Sequence, residues 1–209
     1  RMLKRFGYDF HNAFADLAVS RKEGINGRLS IDSLVASGVQ IDTIRMAFTS
    51  DSAKTNFEGQ IRNNRSNPQF VFNAQMRGAV TKESIYLGTR VYDGRDRLGI
   101  ALGLKADMQP GGVKMSLGGI DPVLGYKKFK VNKDNYVFFA ENQRISADMR
   151  LRADDGMGVQ IYSNDSTETK QDLSVSLNQF DLQKVLAVVP YAPQVAGLLN
   201  GDFHWTVSE

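Results

Sequence analysis

A chain of 209 residues, 42% of them hydrophobic, has enough apolar material for one large β domain or two small ones. Its 26 basic and 23 acidic residues are dispersed and leave a formal charge of +3, too little to argue for nucleic acid or an anionic membrane surface as a partner. The absence of cysteine excludes disulfides and thiolate metal sites, and no apolar run approaches the ~20 residues that span a bilayer.

The chain opens Arg-Met-Leu-Lys and runs into a Phe-rich stretch, Phe6 to Phe14, that contains His11. From there the dominant pattern is apolar alternation with period two, which places every second side chain on one face of a strand. Val39 and Ile41 change phase to Ile44, Met46 and Phe48, which predicts one extra residue, a β-bulge, near Thr43. Gly38 to Asp42 is echoed weakly by Phe57 to Ile61, without a strict repeat period. A turn-rich stretch, 63–68, precedes Phe70, Phe72, Ala74 and Met76; Ile85, Leu87 and Val91 follow, then the turn Asp93-Gly94.

The longest alternation is Leu98, Ile100, Leu102, Leu104, Ala106 and Met108. It contains no proline and predicts a strand in the middle of a sheet. Its intervening Gly99, Ala101 and Gly103 are small enough for another element to approach that face closely. Pro110-Gly111-Gly112 separates it from Val113, Met115 and Leu117. Further strands are predicted at Ile145, Ala147, Met149 and Leu151, at Leu173, Val175 and Leu177, and at Phe203, Trp205 and Val207. The turns between them fall at Asp121-Pro122, 132–135, Asp154-Asp155-Gly156 and Asn164-Asp165-Ser166. One segment departs from period two: Asp181 is placed to cap a short helix through Leu182, Val185, Leu186 and Val189, which Pro190 and Pro193 keep short. The expected fold is therefore all-β, with one short helical segment inside 181–199. That segment is expected to lie over an end or edge of the sheet.

Few residues carry chemistry. His11 and His204 are isolated, and His204 alternates with Phe203 and Trp205 on a strand; neither has a nucleophile beside it. Asp93-Gly94-Arg95-Asp96 and Asp154-Asp155-Gly156 lack the spacing and closing acid of a calcium loop and read as hairpin turns. Phe129 and Tyr136 near Lys127, Lys128 and Lys130 fit a strand pair around a turn better than a single-strand nucleic-acid platform. No catalytic centre, metal site or cofactor is expected. The informative quantity is the amount of apolar face. One short helix cannot cover so many strands, so the sheet either folds into a dry sandwich or curls into a trough with an apolar lining suited to acyl chains. Leu98, Ile100, Leu102, Leu104, Met149 and Leu151 are the candidate lining.

The second half carries a family resemblance. Asp121 to Phe129 reads DPVLGYKKF and leads into Val131 to Phe139; Arg144 to Leu151, Gly156 to Ser163, and Phe180-Asp181-Leu182 through Val188-Val189-Pro190 to Phe203 follow. Over roughly 117–207 these phrases resemble the TamB-like translocation and assembly module proteins, in the form found in Bacteroidetes. TamB-like proteins are similar in turn to the AsmA and bridge-like lipid-transfer groups. The resemblance implies a taco-like β-groove with an apolar inner face. It implies a section of a long periplasmic protein, anchored in the inner membrane of a Gram-negative bacterium, that carries phospholipid between membranes. It also implies support for outer-membrane protein assembly with a barrel partner of the TamA type. Phospholipid acyl chains are then the expected ligand, and nucleic acid is not a partner. On this reading 1–209 is a single β-groove module and an internal piece of a longer protein, with 117–125 the candidate point of subdivision. The other readings are a structural or docking β-sandwich and, with only Trp205 as a tryptophan platform and no evident carboxylate pair, a glycan-binding or hydrolytic sandwich.

Overall fold

The structure, a computed structural model, describes residues 8–36, 39–64, 70–164, 170–189 and 192–208. Phe6, Gly38, Asp165, Ser166, Pro190 and most of the 63–68 turn lie outside them. The fold is all-β: seventeen strands in antiparallel ladders that do not close, with one short helix near the C-terminus. The chain divides into two compact units, Arg1–Lys82 with Leu87–Leu98, and Glu83–Tyr86 with Gly99–Glu209. The segment 117–125 lies inside the second unit.

The first unit is built from β1 (Tyr8–Ser20), β2 (Gly24–Ala36), β3 (Val39–Ile41), β4 (Thr43–Ser50), β5 (Thr55–Asn63), β6 (Phe72–Val80) and most of β7 (Ser84–Asp93). Strands β1, β2, β4, β5 and β6 pair in that order, each antiparallel to the next. Thr89 Oγ1 in β7 donates to the Gln75 carbonyl of β6 at 3.3 Å. The tight turns are made by local carboxylates: Asp51 accepts from the Ala53 and Lys54 N–H groups, and Asp93 from those of Arg95 and Arg97. The bulge expected near Thr43 is absent. Leu34 pairs with Ile41 and Ile31 with Ile44, so the register passes through without an extra residue. The strand is instead interrupted at buried Asp42, whose N–H donates to Asn63 Oδ1 at 3.0 Å. Ile41 and Ile44 therefore project from opposite faces.

The second unit contains β8 (Leu98–Gln109, whose first residue belongs to the first unit), β9 (Gly112–Leu117), β10 (Val123–Leu124), β11 (Lys127–Lys128), β12 (Lys130–Val131), β13 (Tyr136–Ala140), β14 (Ile145–Arg152), β15 (Gly158–Ser163), β16 (Lys170–Asp181), α1 (Leu182–Leu186) and β17 (Leu198–Ser208). As its pattern predicts, β8 is an interior strand. It pairs with β9 and β10 on one side, and on the other the Met108 N–H donates to the Glu83 carbonyl at 2.7 Å. The ladder then runs from β9 through β13, β14, β15 and β16 to β17. Asp154-Asp155-Gly156 is a hairpin turn as expected, closed by Ala153 and Met157.

Two buried amide side chains bridge gaps in this ladder. Asn135 accepts from the Leu117 N–H at 2.7 Å and donates to the Leu117 carbonyl at 2.9 Å. Gln171 does the same to Ile145, at 2.8 and 2.7 Å. Each substitutes for a missing strand residue and pairs the backbone N–H and carbonyl at the gap. The helix stands where its capping pattern predicts: the Asp181 carboxylate accepts from the Lys184 N–H at 3.1 Å.

Candidate functional site

Residues paired directly across an antiparallel ladder project from the same face. In the second unit one row reads Ala106, Met115, Val137, Ala147 from β8 to β14, and Ser163, whose hydroxyl accepts from the Ala147 N–H at 3.0 Å, continues it through Leu173 to Trp205. A neighbouring row reads Met149, Ile161, Val175, Phe203, and the next Leu151, Val159, Leu177, Gly201. The separate alternations of the sequence thus fall on one continuous apolar face. Ile100, Leu102 and Leu104 share it with Met149 and Leu151; Leu98 is assigned to the first unit.

This face is closed at one end and open at the other. Met149 and Leu151 are each 7% exposed and packed with Phe129, Ala153 and Met157, with Leu124, Phe180 and Val185 against them. Phe180 reaches this cluster because β16 carries a bulge between Leu177 and Phe180, with Gln179 at φ 47°, which restores an apolar residue to the inner phase. At the far end and toward β17, Met108 is 63% exposed, Phe139 42%, Phe203 58% and Trp205 50%. Ile100, Leu102 and Leu104 are half-buried, whereas Gly99, Ala101 and Gly103 between them are buried. In β8 the small-residue face is the one covered, and the large side chains remain accessible. The six candidates therefore separate: Met149 and Leu151 belong to a core that the chain itself fills, and the β8 leucines and Ile100 line open surface.

The closed end is fastened from outside by ion pairs. Lys127 contacts Asp155, and Lys130 Nζ lies 2.9 Å from Asp154. The Lys127 ammonium, followed by the Met157 N–H, holds the Asp155 carboxyl below its ordinary pKa, and Asp154 raises that of Lys130. Gly125, at φ 58°, lies against the Lys184 carbonyl, where a side chain would collide with the helix backbone.

The first unit has an apolar face of its own, which the candidate lining did not include. Leu29, Met46, Gly59 and Met76 form one row, and Ile31, Ile44, Ile61 and Ala74 the next. Every large apolar residue in these rows is half-buried. The signal was present as the alternation of Ile44, Met46 and Phe48 with Phe72, Ala74 and Met76, but only the register aligns the two sets. The opposite face of the same strands is polar. Ser30, Arg45, Gln60 and Gln75 form one row, and Arg28, Ala47, Glu58 and Arg77 the next. These two rows, with Phe14 and the intervening Leu29, Met46, Gly59 and Met76, line a cleft of about 960 Å³.

Of the two histidines, His11 is exposed, and His204 Nε2 lies 2.5 Å from Oδ1 of buried Asp172. Asn164 also donates to that carboxylate, at 3.3 Å. The contact joins β17 to β16. Among the described residues, no cluster of three or more His, Asp or Glu side chains could hold a metal ion. Comparison of the chain with protein families, with curated proteins and with solved structures finds no match.

Proposed function

We propose that the chain is a non-catalytic carrier section whose apolar β-faces hold acyl chains. The observation that carries this reading is the uncovered register of large apolar side chains. In the first unit Phe72 is the one fully buried large apolar residue among those described, while whole rows of Ile, Leu, Met and Phe are only half-buried. Fully burying one such side chain is worth about 1.5–3 kcal/mol. Rows of them left incomplete mark a surface awaiting an apolar ligand or partner. The polar opposite face of the same strands suits a sheet with water on one side and hydrocarbon on the other.

The resemblance of 117–207 to TamB-like proteins supplies the setting for this proposal. The chain would be a periplasmic section of an inner-membrane-anchored protein. It would pass phospholipid between the two membranes or support outer-membrane assembly beside a TamA-type barrel. Native mass spectrometry of the purified chain tests the ligand directly. Adducts of phospholipid or fatty-acid mass, displaced by added fatty acid, are expected; bare protein that takes up no fluorescent fatty acid would refute the reading and favour a structural or docking module.

A further inference from the structure

We propose that the polar cleft of the first unit is a binding site for a phosphate-bearing ligand. Arg28, Arg45 and Arg77 come from three different strands, β2, β4 and β6, and all border the same cleft of about 960 Å³. Glu58 is the single acid in the lining, so the local balance is three positive charges against one negative. The three guanidinium groups form no ion pair or hydrogen bond with another described residue. Arg97, Lys130 and Arg150, by contrast, are matched with Asp93, Asp154 and Asp148. The cleft arginines are therefore cations with their donors unspent.

The register explains how they converge. Neighbouring strands lie about 4.8 Å apart, so β4 and β6 are separated by roughly 10 Å across β5. Arg45 and Arg77 flank β5 on one face at adjacent ladder rows, and long side chains close much of that gap. Ala47 stands directly between Arg28 and Glu58 in its row and keeps the floor low. Gln60 is oriented by donating to Asn73 Oδ1 at 2.8 Å, and its second amide N–H remains for a ligand. Guanidinium groups with amide donors match the planar, multidentate geometry of phosphate oxygens better than ammonium groups would. This inference does not rest on the acyl-chain reading, because the charge and donors it uses come from Arg28, Arg45, Arg77 and Gln60 and from none of the apolar side chains.

The test is a calorimetric titration of the whole chain with inorganic pyrophosphate, paired with flotation on vesicles of phosphatidylglycerol and of phosphatidylcholine. Saturable, salt-sensitive binding is expected. Pyrophosphate binding identifies a soluble phosphate compound as the natural class; binding to phosphatidylglycerol vesicles alone identifies a lipid headgroup. Arg45→Gln and Arg77→Gln should each weaken binding about tenfold, the loss of one charge-assisted contact. Arg152→Gln, which removes an exposed charge in the other unit, should change nothing. Glu58→Gln should tighten binding several-fold, a gain that misfolding cannot mimic. No saturable binding to either probe, or equal loss in Arg152→Gln, would overturn the proposal.

Discussion

Val188, only 1% exposed, rests on Gly99, so that a Cβ at position 99 would occupy the space of the Val188 methyl groups. The absent side chain of one strand residue thus seats the segment after α1, while Val185 of the same segment packs on the Met149–Leu151 cluster. Gly99→Ala should destabilise the protein by about 1–3 kcal/mol through overpacking. Val188→Ala, which leaves a void, should lose about 2 kcal/mol. The double variant should be more stable than the sum of the two predicts, because the smaller side chain makes room for the new Cβ. Denaturant melts of the four proteins measure this, and strict additivity would show that the two residues do not share one space.

Leu102 and Met149 lie on one apolar face, but the first is half-buried and the second 7% exposed. An arginine at 102 can run along the face and reach water. An arginine at 149 would be a charge buried without a partner, a penalty of several kcal/mol against a typical stability of about 5–15 kcal/mol. Leu102→Arg is therefore expected to melt cooperatively near the parent temperature and to lose fluorescent fatty-acid uptake. Met149→Arg is expected to unfold. Unchanged uptake by a folded Leu102→Arg would remove β8 from the binding surface.

The amides that bridge the ladder gaps admit a sharper substitution. Asn135→Asp keeps the acceptor for the Leu117 N–H but removes the donors to the Leu117 and Asn132 carbonyls. A loss of about 1–3 kcal/mol is expected at neutral pH, the cost of buried acceptors left unmatched. Gln171→Glu should behave likewise at the Ile145 carbonyl. Amide exchange should rise locally, at Leu117 in one variant and at Ile145 in the other.

Acid and base should loosen the closed end in opposite ways. The Lys184 N–H first, and then its ammonium, hold the Asp181 carboxyl below its ordinary pKa; Lys127 first, and then the Met157 N–H, do so for Asp155. A carboxyl depressed in the folded state contributes fully above its unfolded value of about 3.9, and the contribution disappears as pH falls through the folded value. Lys130 is raised by Asp154, so its contribution is complete below about 10.4 and is lost as pH rises through the folded value. Asp155→Asn and Asp181→Asn should each flatten the acid limb of a stability–pH curve and leave the alkaline limb unchanged. Lys130→Gln should flatten only the alkaline limb.

Local patterning by itself determined β6, β8, β9, β14, β16 and β17, the hairpin turn at 154–156 and the capped helix, but it did not mark β1 or β2. Alternation, turn residues and an N-cap act over a few residues, and tertiary packing had nothing to overrule at β8 or Asp181. The phase change at 41–44 misled because alternation reports faces, not register: an apolar pair on each side of Asp42 looks like an inserted residue until Leu34 and Ile31 supply its partners. Only the tertiary structure decided which apolar residues stay accessible. Leu102 and Met149 carry the same signal in sequence, yet Phe129, Met157 and Val185, distant along the chain, cover one and leave the other open. The cleft arginines were equally illegible, because Arg28, Arg45 and Arg77 are separate solvent-face residues until three ladders bring them into neighbouring rows. Faces follow from period two along one strand; coverage and convergence depend on pairings between strands, and those are non-local.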